Sequence, residues 1–262
     1  MRGLVYIEEL RSRGRCSFTT EEIVEQLDKT RTAANAFVRR LREKGRVATP
    51  VRGFHVVVPP EYRRLRCLPP RDFVPFLMEY LERDYYVGLL SAAAFHGAAH
   101  QQPQTFQTMV DEIRRQVECG RVRIEFHERS GLSDVPTQHV NTDYSQIPIS
   151  TREATAVDLV GFAGQIGGLD RVATVLVELA EEIDADRLAE VGPDIAPDAW
   201  LQRLGYLLDT LGFEERTGPL AEFVDKNVQE VTPLRSERGG RTGKPRDEKW
   251  RVAINHQLDP DI

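Results

Sequence analysis

No stretch of the 262-residue chain approaches the ~20 consecutive apolar residues that a membrane-spanning helix requires, so no helical span is expected. The amino terminus also lacks the apolar core of a secretory signal. Met1-Arg2-Gly3 soon runs into Glu8-Glu9, and a cytosolic protein is expected. Cysteine is scarce: Cys16, Cys67 and Cys119 are an odd number at wide spacing with no C-x-x-C pair. Neither a disulfide framework nor a thiolate metal site is indicated, and the three read as reduced packing residues. There is no G-x-S-x-G nucleophile elbow, no internal repeat and no long low-complexity run. What is present is an ordinary globular composition, 40% hydrophobic and 29% charged with 15 prolines, long enough for one large domain or two.

Charge is divided along the chain. Residues 1–68 hold 15 Lys and Arg against 8 Asp and Glu, whereas the rest holds 20 against 33, within an overall net charge of −6. A local surplus of cations can neutralise phosphates, although a solvated basic face has the same composition. Pro59-Pro60 and Pro69-Pro70 punctuate the chain where the charge changes sign, and proline pairs cannot sit inside helices or central strands. Two domains are therefore expected, 1–68 and 71–262, with a linker between the proline pairs.

The basic segment reads as a winged helix-turn-helix. Leu4, Ile7 and Leu10 recur at helical spacing and Gly14 follows as a C-terminal cap. Thr19-Thr20-Glu21-Glu22 is a capping box opening a second helix with Ile23, Val24 and Leu27 on its apolar face. Thr30 then caps a third helix over 31–44 after a turn too short for anything but a helix-turn-helix. Ala34, Phe37, Val38 and Leu41 form its buried stripe, and Arg31, Thr32, Asn35, Arg39 and Arg42 its outer face. Asn and Arg are the side chains whose geometry matches adenine and guanine edges in the major groove. Two β-prone runs, 46–49 and 54–58, flank Pro50-Val51-Arg52-Gly53 as the wing. The expected contacts with duplex DNA are thus Thr30, Arg31, Thr32, Asn35, Arg39, Arg42, Arg46 and Arg52. Winged helices also mediate protein contacts, but the exposed Arg, Asn and Thr set favours DNA.

Beyond the linker the pattern predicts an α+β body with a small mixed sheet and several helices. Helices are expected at 73–81, 89–100, 151–162, 169–183, 199–211 and 220–227, and strands at 105–110, 122–127, 138–144 and 250–255. In this order stand the wing's Arg52-Gly53-Phe54, Tyr85-Tyr86-Val87-Gly88, Ser91-Ala92-Ala93-Ala94-Phe95-His96-Gly97, Ser150-Thr151-Arg152-Glu153-Ala154-Thr155-Ala156-Val157-Asp158-Leu159 and Trp250-Arg251-Val252-Ala253-Ile254-Asn255. The chain thereby resembles the AbiEi-type antitoxins of type IV toxin-antitoxin, or abortive-infection, systems over nearly its whole length. The resemblance implies a repressor of its own promoter that binds inverted repeats in double-stranded DNA, as a dimer or cooperatively. It also implies a second domain that counteracts a nucleotidyltransferase toxin encoded beside it, through the toxin's target if "type IV" holds.

Enzyme readings find little support, and no catalytic residue, metal or cofactor is expected. His96 and His100 lie at i, i+4 on a predicted helix but lack the carboxylate of H-E-x-x-H. Arg238-Gly239-Gly240-Arg241-Thr242-Gly243-Lys244-Pro245 departs from a phosphate-binding loop at both ends, leaving residues 235–249 as an exposed basic loop able to touch nucleic acid. Glu153 and Asp158, five residues apart, do not share a helix face, and Glu153 fits a helix amino terminus. Two alternatives to a repressor-antitoxin stay open: a plain transcription factor with a ligand- or partner-sensing acidic domain, and a nucleic-acid enzyme guided by the winged helix.

Overall fold

Thr19 ends a strand and starts a helix. Its hydroxyl accepts the Glu22 amide at 3.1 Å while the Glu22 carboxylate accepts the Thr19 amide at 2.7 Å, the reciprocal capping box expected from the sequence. In the computed structural model, which describes residues 2–98, 103–236 and 242–260, this box joins β1 (Ser17–Thr19) to α2 (Thr20–Gln26). Ahead of them lies α1 (Arg2–Ser12), closed by Gly14 at φ +68, and after them α3 (Arg31–Glu43), β2 (Val47–Val51) and β3 (Phe54–Val57). Tyr6, Ile7, Leu10, Phe18, Ile23, Phe37, Val38, Leu41, Val47 and Val57 make one buried cluster. The side chain of Leu4 lies outside the described residues.

Two local features differ from the sequence reading. A third strand, β1, pairs antiparallel with β3, giving the order β1-β3-β2; at three residues it is too short to show a period of its own. The hairpin turn is also tighter than expected. Val51 pairs with Phe54, so only Arg52 and Gly53 turn the chain, with Gly53 at φ +91, and Pro50 lies inside β2 where the register slips between Ala48 and Val51. A bulge tolerates a residue with no amide to donate.

The described residues are α+β, with ten α-helices and several small sheets, and fall into two compact units. The first comprises Met1–Tyr86, Gln104–Ser130 and His139–Pro148. Besides the elements above it holds α4 (Pro70–Tyr80), whose Pro70 occupies the first turn, where a missing amide costs nothing. The proline-bracketed segment is packed: Cys67 and Leu68 are wholly buried, and the Leu65 carbonyl accepts the Arg121 amide at 2.8 Å. β5 (Phe106–Val110) runs parallel to β7 (Val122–Glu128), which pairs antiparallel with β6 (Val117–Cys119) through the turn at Gly120-Arg121. β4 (Tyr85–Val87), β8 (Thr137–Asn141) and β9 (Gln146–Ser150) each have residues in both units.

The second unit is built around α6 (Arg152–Gly161), buried from Glu153 through Val160. Such a helix must be enclosed, and α5 (Leu89–Phe95), α7 (Leu169–Ala180), α8 (Ala185–Ile195) and α9 (Asp198–Thr210) surround it. The buried Ser91, Ala92 and Ala93 of α5 permit the close approach expected of small residues. α5 is shorter than predicted, since Gly97 turns the chain at φ +82. α8 went unpredicted because Gly192 and Pro193 lie in its last turn. α10 (Gly218–Asn227) follows, and the expected closing strand shrinks to β12 (Val252–Ala253), parallel to β10 (Thr232–Pro233) and antiparallel to β11 (Arg246–Asp247).

Candidate nucleic-acid interface

The two faces of α3 separate as its sequence spacing requires. Ala34, Phe37, Val38 and Leu41 are buried, and Thr30, Arg31, Thr32, Asn35, Arg39 and Arg42 are all exposed. Thr30 accepts the Ala33 amide at 3.3 Å as N-cap. Arg31 is held by Glu21 of α2 at 2.8 Å, a brace across the turn between the two helices. Arg39 reaches Glu43 only at 3.9 Å, and both side chains are largely in solvent, so the pair restrains it little. Thr32, Asn35 and Arg42 complete an outward row along the helix.

Beside this row stands the hairpin. Arg52 is exposed at its tip, and Arg46 is half-buried just before β2. The tip is propped from α4: the Tyr80 hydroxyl donates to the Arg52 carbonyl at 3.2 Å, and its ring packs against Phe54 with centroids 5.5 Å apart. At φ +91 position 53 favours glycine, and a side chain there would also displace the Tyr80 hydroxyl from the hairpin tip. Behind the hairpin His55 is buried. Its Nε2 lies 2.9 Å from the Thr20 hydroxyl and its Nδ1 3.0 Å from the Thr49 hydroxyl, tying α2, β2 and β3 together. Burial, followed by the Arg42 charge, pushes its pKa down to about 4, so the imidazole stays neutral near pH 7.

Sequence reasoning missed the flank of this hairpin. Arg83, Arg114 and Arg115 border a groove whose other wall includes Pro50 and Val51 of β2. They stand too far from the basic quarter in sequence, and among too many carboxylates, for composition to single them out.

Other residues marked from the sequence have structural partners. His96 is half-buried and donates Nε2–H to the Ser150 carbonyl at 2.8 Å; burial holds its pKa below the usual histidine value, and His100 lies outside the described residues. Glu153 is buried in α6, where it accepts the Asp184 amide at 3.2 Å and stands 3.7 Å from Arg187. It therefore serves the amino terminus of α8 as well as that of its own helix. Ser150 and Thr155 share a hydrogen bond of 2.7 Å. Within residues 235–249, positions 237–241 lie outside the described residues. Beyond them Lys249 and the Trp250 indole N–H both donate to Asp209, at 2.6 and 2.7 Å. Cys16, Cys67 and Cys119 are free and buried, as expected. No group of three metal-ligating side chains is found among the described residues, and none of their helices is long and apolar enough to cross a membrane.

Residues 86–210 match the family of the AbiEi antitoxin C-terminal domain, and the resemblance found in the sequence is borne out there. Among solved structures, the RV2827C protein from Mycobacterium tuberculosis is similar in fold, with TM-score 0.64 and 18% identity over 94% of this chain and 89% of that one. An antigenic nucleotidyltransferase-like protein from Paracoccidioides brasiliensis is far more remote, with TM-score 0.34 and 9% identity over 60% of this chain and 86% of that one. No curated protein sequence matches the chain.

Proposed function

We propose that this chain, which over residues 86–210 carries an AbiEi antitoxin C-terminal domain, is the antitoxin of a type IV toxin-antitoxin pair and the repressor of its own promoter. Residues 1–68 act as a winged helix-turn-helix, α3 entering the major groove and the β2–β3 hairpin lying along the backbone as its wing. The observation that carries this reading is the exposed row of Thr32, Asn35, Arg39 and Arg42 opposite a fully buried stripe on one helix. Asn35 and Arg39 stand one turn apart and supply the amide and guanidinium that pair with adenine and guanine edges. Thr30 and Thr32, at the helix amino terminus, offer hydroxyls where the dipole favours a phosphate. Arg52 contacts the backbone without reading sequence. Inverted repeats call for two chains per operator. The second domain opposes a nucleotidyltransferase toxin and performs no catalysis of its own.

Titration of the full-length protein into duplexes bearing its promoter and into scrambled duplexes tests the reading. Asn35→Ala or Arg39→Ala should cost about 1–3 kcal/mol on the promoter and blunt the preference for it. Arg52→Ala should weaken both duplexes alike and lower the salt slope by about one. Absence of DNA retardation at low salt by the folded wild-type protein would refute the repressor half of the proposal.

A further inference from the structure

The connection from β5 to β6, residues 111–116, carries the sequence Asp111-Glu112-Ile113-Arg114-Arg115-Gln116 and forms one wall of the groove beside the hairpin. The groove has a volume of about 630 Å³, with Pro50 and Val51 of β2 among its lining residues. Its carboxylates are already engaged. Glu112 is bound by Arg83 at 2.5 Å, the same guanidinium lies 3.9 Å from Asp111, and Glu118 is held by Arg123 at 3.4 Å and the Gln116 amide at 3.2 Å. Arg114 and Arg115 have no carboxylate in ion-pair contact among the described residues. The Arg114 guanidinium sits 5.9 Å from the centre of the Phe126 ring, which restrains it, and Arg115 stands in solvent. Ile113 at the loop tip is 70% exposed, so the loop is not shaped by filling a core.

We infer that this groove is a second phosphate-binding strip, in which Arg114 and Arg115 hold the sugar-phosphate backbone of the duplex next to the stretch contacted by the wing. The inference rests on the promoter-binding reading and extends it to residues outside the winged helix. Continuity decides the occupant: the groove shares Pro50 and Val51 with the strand leading to Arg52, so a backbone lying on the wing tip continues towards these two guanidinium groups, which no carboxylate among the described residues holds. Arg is suited to this role because its planar fork matches two phosphate oxygens at once. Loss of sequence preference is not expected from these positions, since phosphate contacts position without specifying.

Fluorescence anisotropy of the full-length protein on promoter and scrambled duplexes, between about 50 and 200 mM salt, tests the strip. Replacing both Arg114→Ala and Arg115→Ala should weaken binding to the two duplexes equally, on the order of tenfold, and lower the slope of log affinity against log salt by about 1.8. Arg115→Ala alone removes a solvent-exposed side chain without touching Phe126, and should lower the slope by about 0.9 with an unchanged urea midpoint. An unchanged slope in both variants, while Asn35→Ala still loses promoter preference, overturns the strip and leaves the repressor reading standing. No binding by the wild-type protein to either duplex overturns both. Loss of toxin rescue in cells with DNA binding intact also overturns the strip, and assigns the loop to a protein contact.

Discussion

Gly205 of α9 faces the ring of Trp250, and a methyl group there would lie 2.1 to 2.3 Å from its carbons. Helix propensity alone predicts a gain of about 1 kcal/mol from Gly205→Ala. Overpacking costs about 1–3 kcal/mol, and this indole cannot retreat, because it is wholly buried and donates to Asp209. Gly205→Ala should therefore lower the urea midpoint. Gly218→Ala, at a position with nothing within 4 Å, should leave it unchanged or raise it. His55 makes a second prediction at this scale. With its folded pKa depressed to about 4 by burial, the unfolded chain takes up a proton below the ordinary value of 6.5 that the folded chain refuses. Its contribution is complete above pH 6.5 and is lost as pH falls towards 4, by up to about 3 kcal/mol. In urea titrations at pH 7 and pH 4.5, the stability difference between wild type and His55→Gln should shrink at the lower pH. A constant difference would mean that the folded imidazole takes up its proton as readily as the unfolded one.

Among elements, α2 is short and opened by a capping box. It has seven residues and buries only Thr20 and Ile23, too little length to be stable by propensity alone. Thr19→Ala removes the acceptor for the Glu22 amide and should cost about 1 kcal/mol, measured by chemical denaturation. Because Glu21 of the same helix holds Arg31 of α3, fraying of α2 should also weaken promoter binding beyond what the lost stability explains. α6 stands at the opposite extreme. It is buried on nearly every side, and its polar members serve neighbours, with Glu153 at the start of α8 and Thr155 bonded to Ser150.

At the scale of the whole molecule, the proposed reading separates repression from antitoxin activity. The exposed row of α3 lies in the basic quarter, whereas the matched antitoxin domain begins at residue 86 and lies in the acidic remainder. A full-length chain carrying both Asn35→Ala and Arg39→Ala should therefore still rescue growth of cells expressing the neighbouring toxin gene, while failing to retard promoter DNA. Loss of rescue by this chain, with fold and expression intact, would mean that repression of the toxin gene is the whole of the protection.

Much of this was legible in the sequence, wherever the cause of structure is local. Thr19 and Glu22 announced a capping box, Ala34, Phe37, Val38 and Leu41 a buried stripe, and the ordered motifs around Tyr86 and Ser150 the match of residues 86–210 to the AbiEi antitoxin C-terminal domain family, because caps, helical period and motif order are properties of neighbours in the chain. Short elements escaped. β1, β6 and β9 have three to five residues each, and their pairing energy comes from strands remote in sequence. Tertiary structure alone decided that Tyr80 props the tip of the β2–β3 hairpin, that Glu153 serves a helix whose cap, Asp184, comes thirty-one residues later, and that Arg114 and Arg115 flank the hairpin. Each depends on which distant segments fold against one another, and a charge or a hydroxyl carries no mark in the sequence of the partner that will face it.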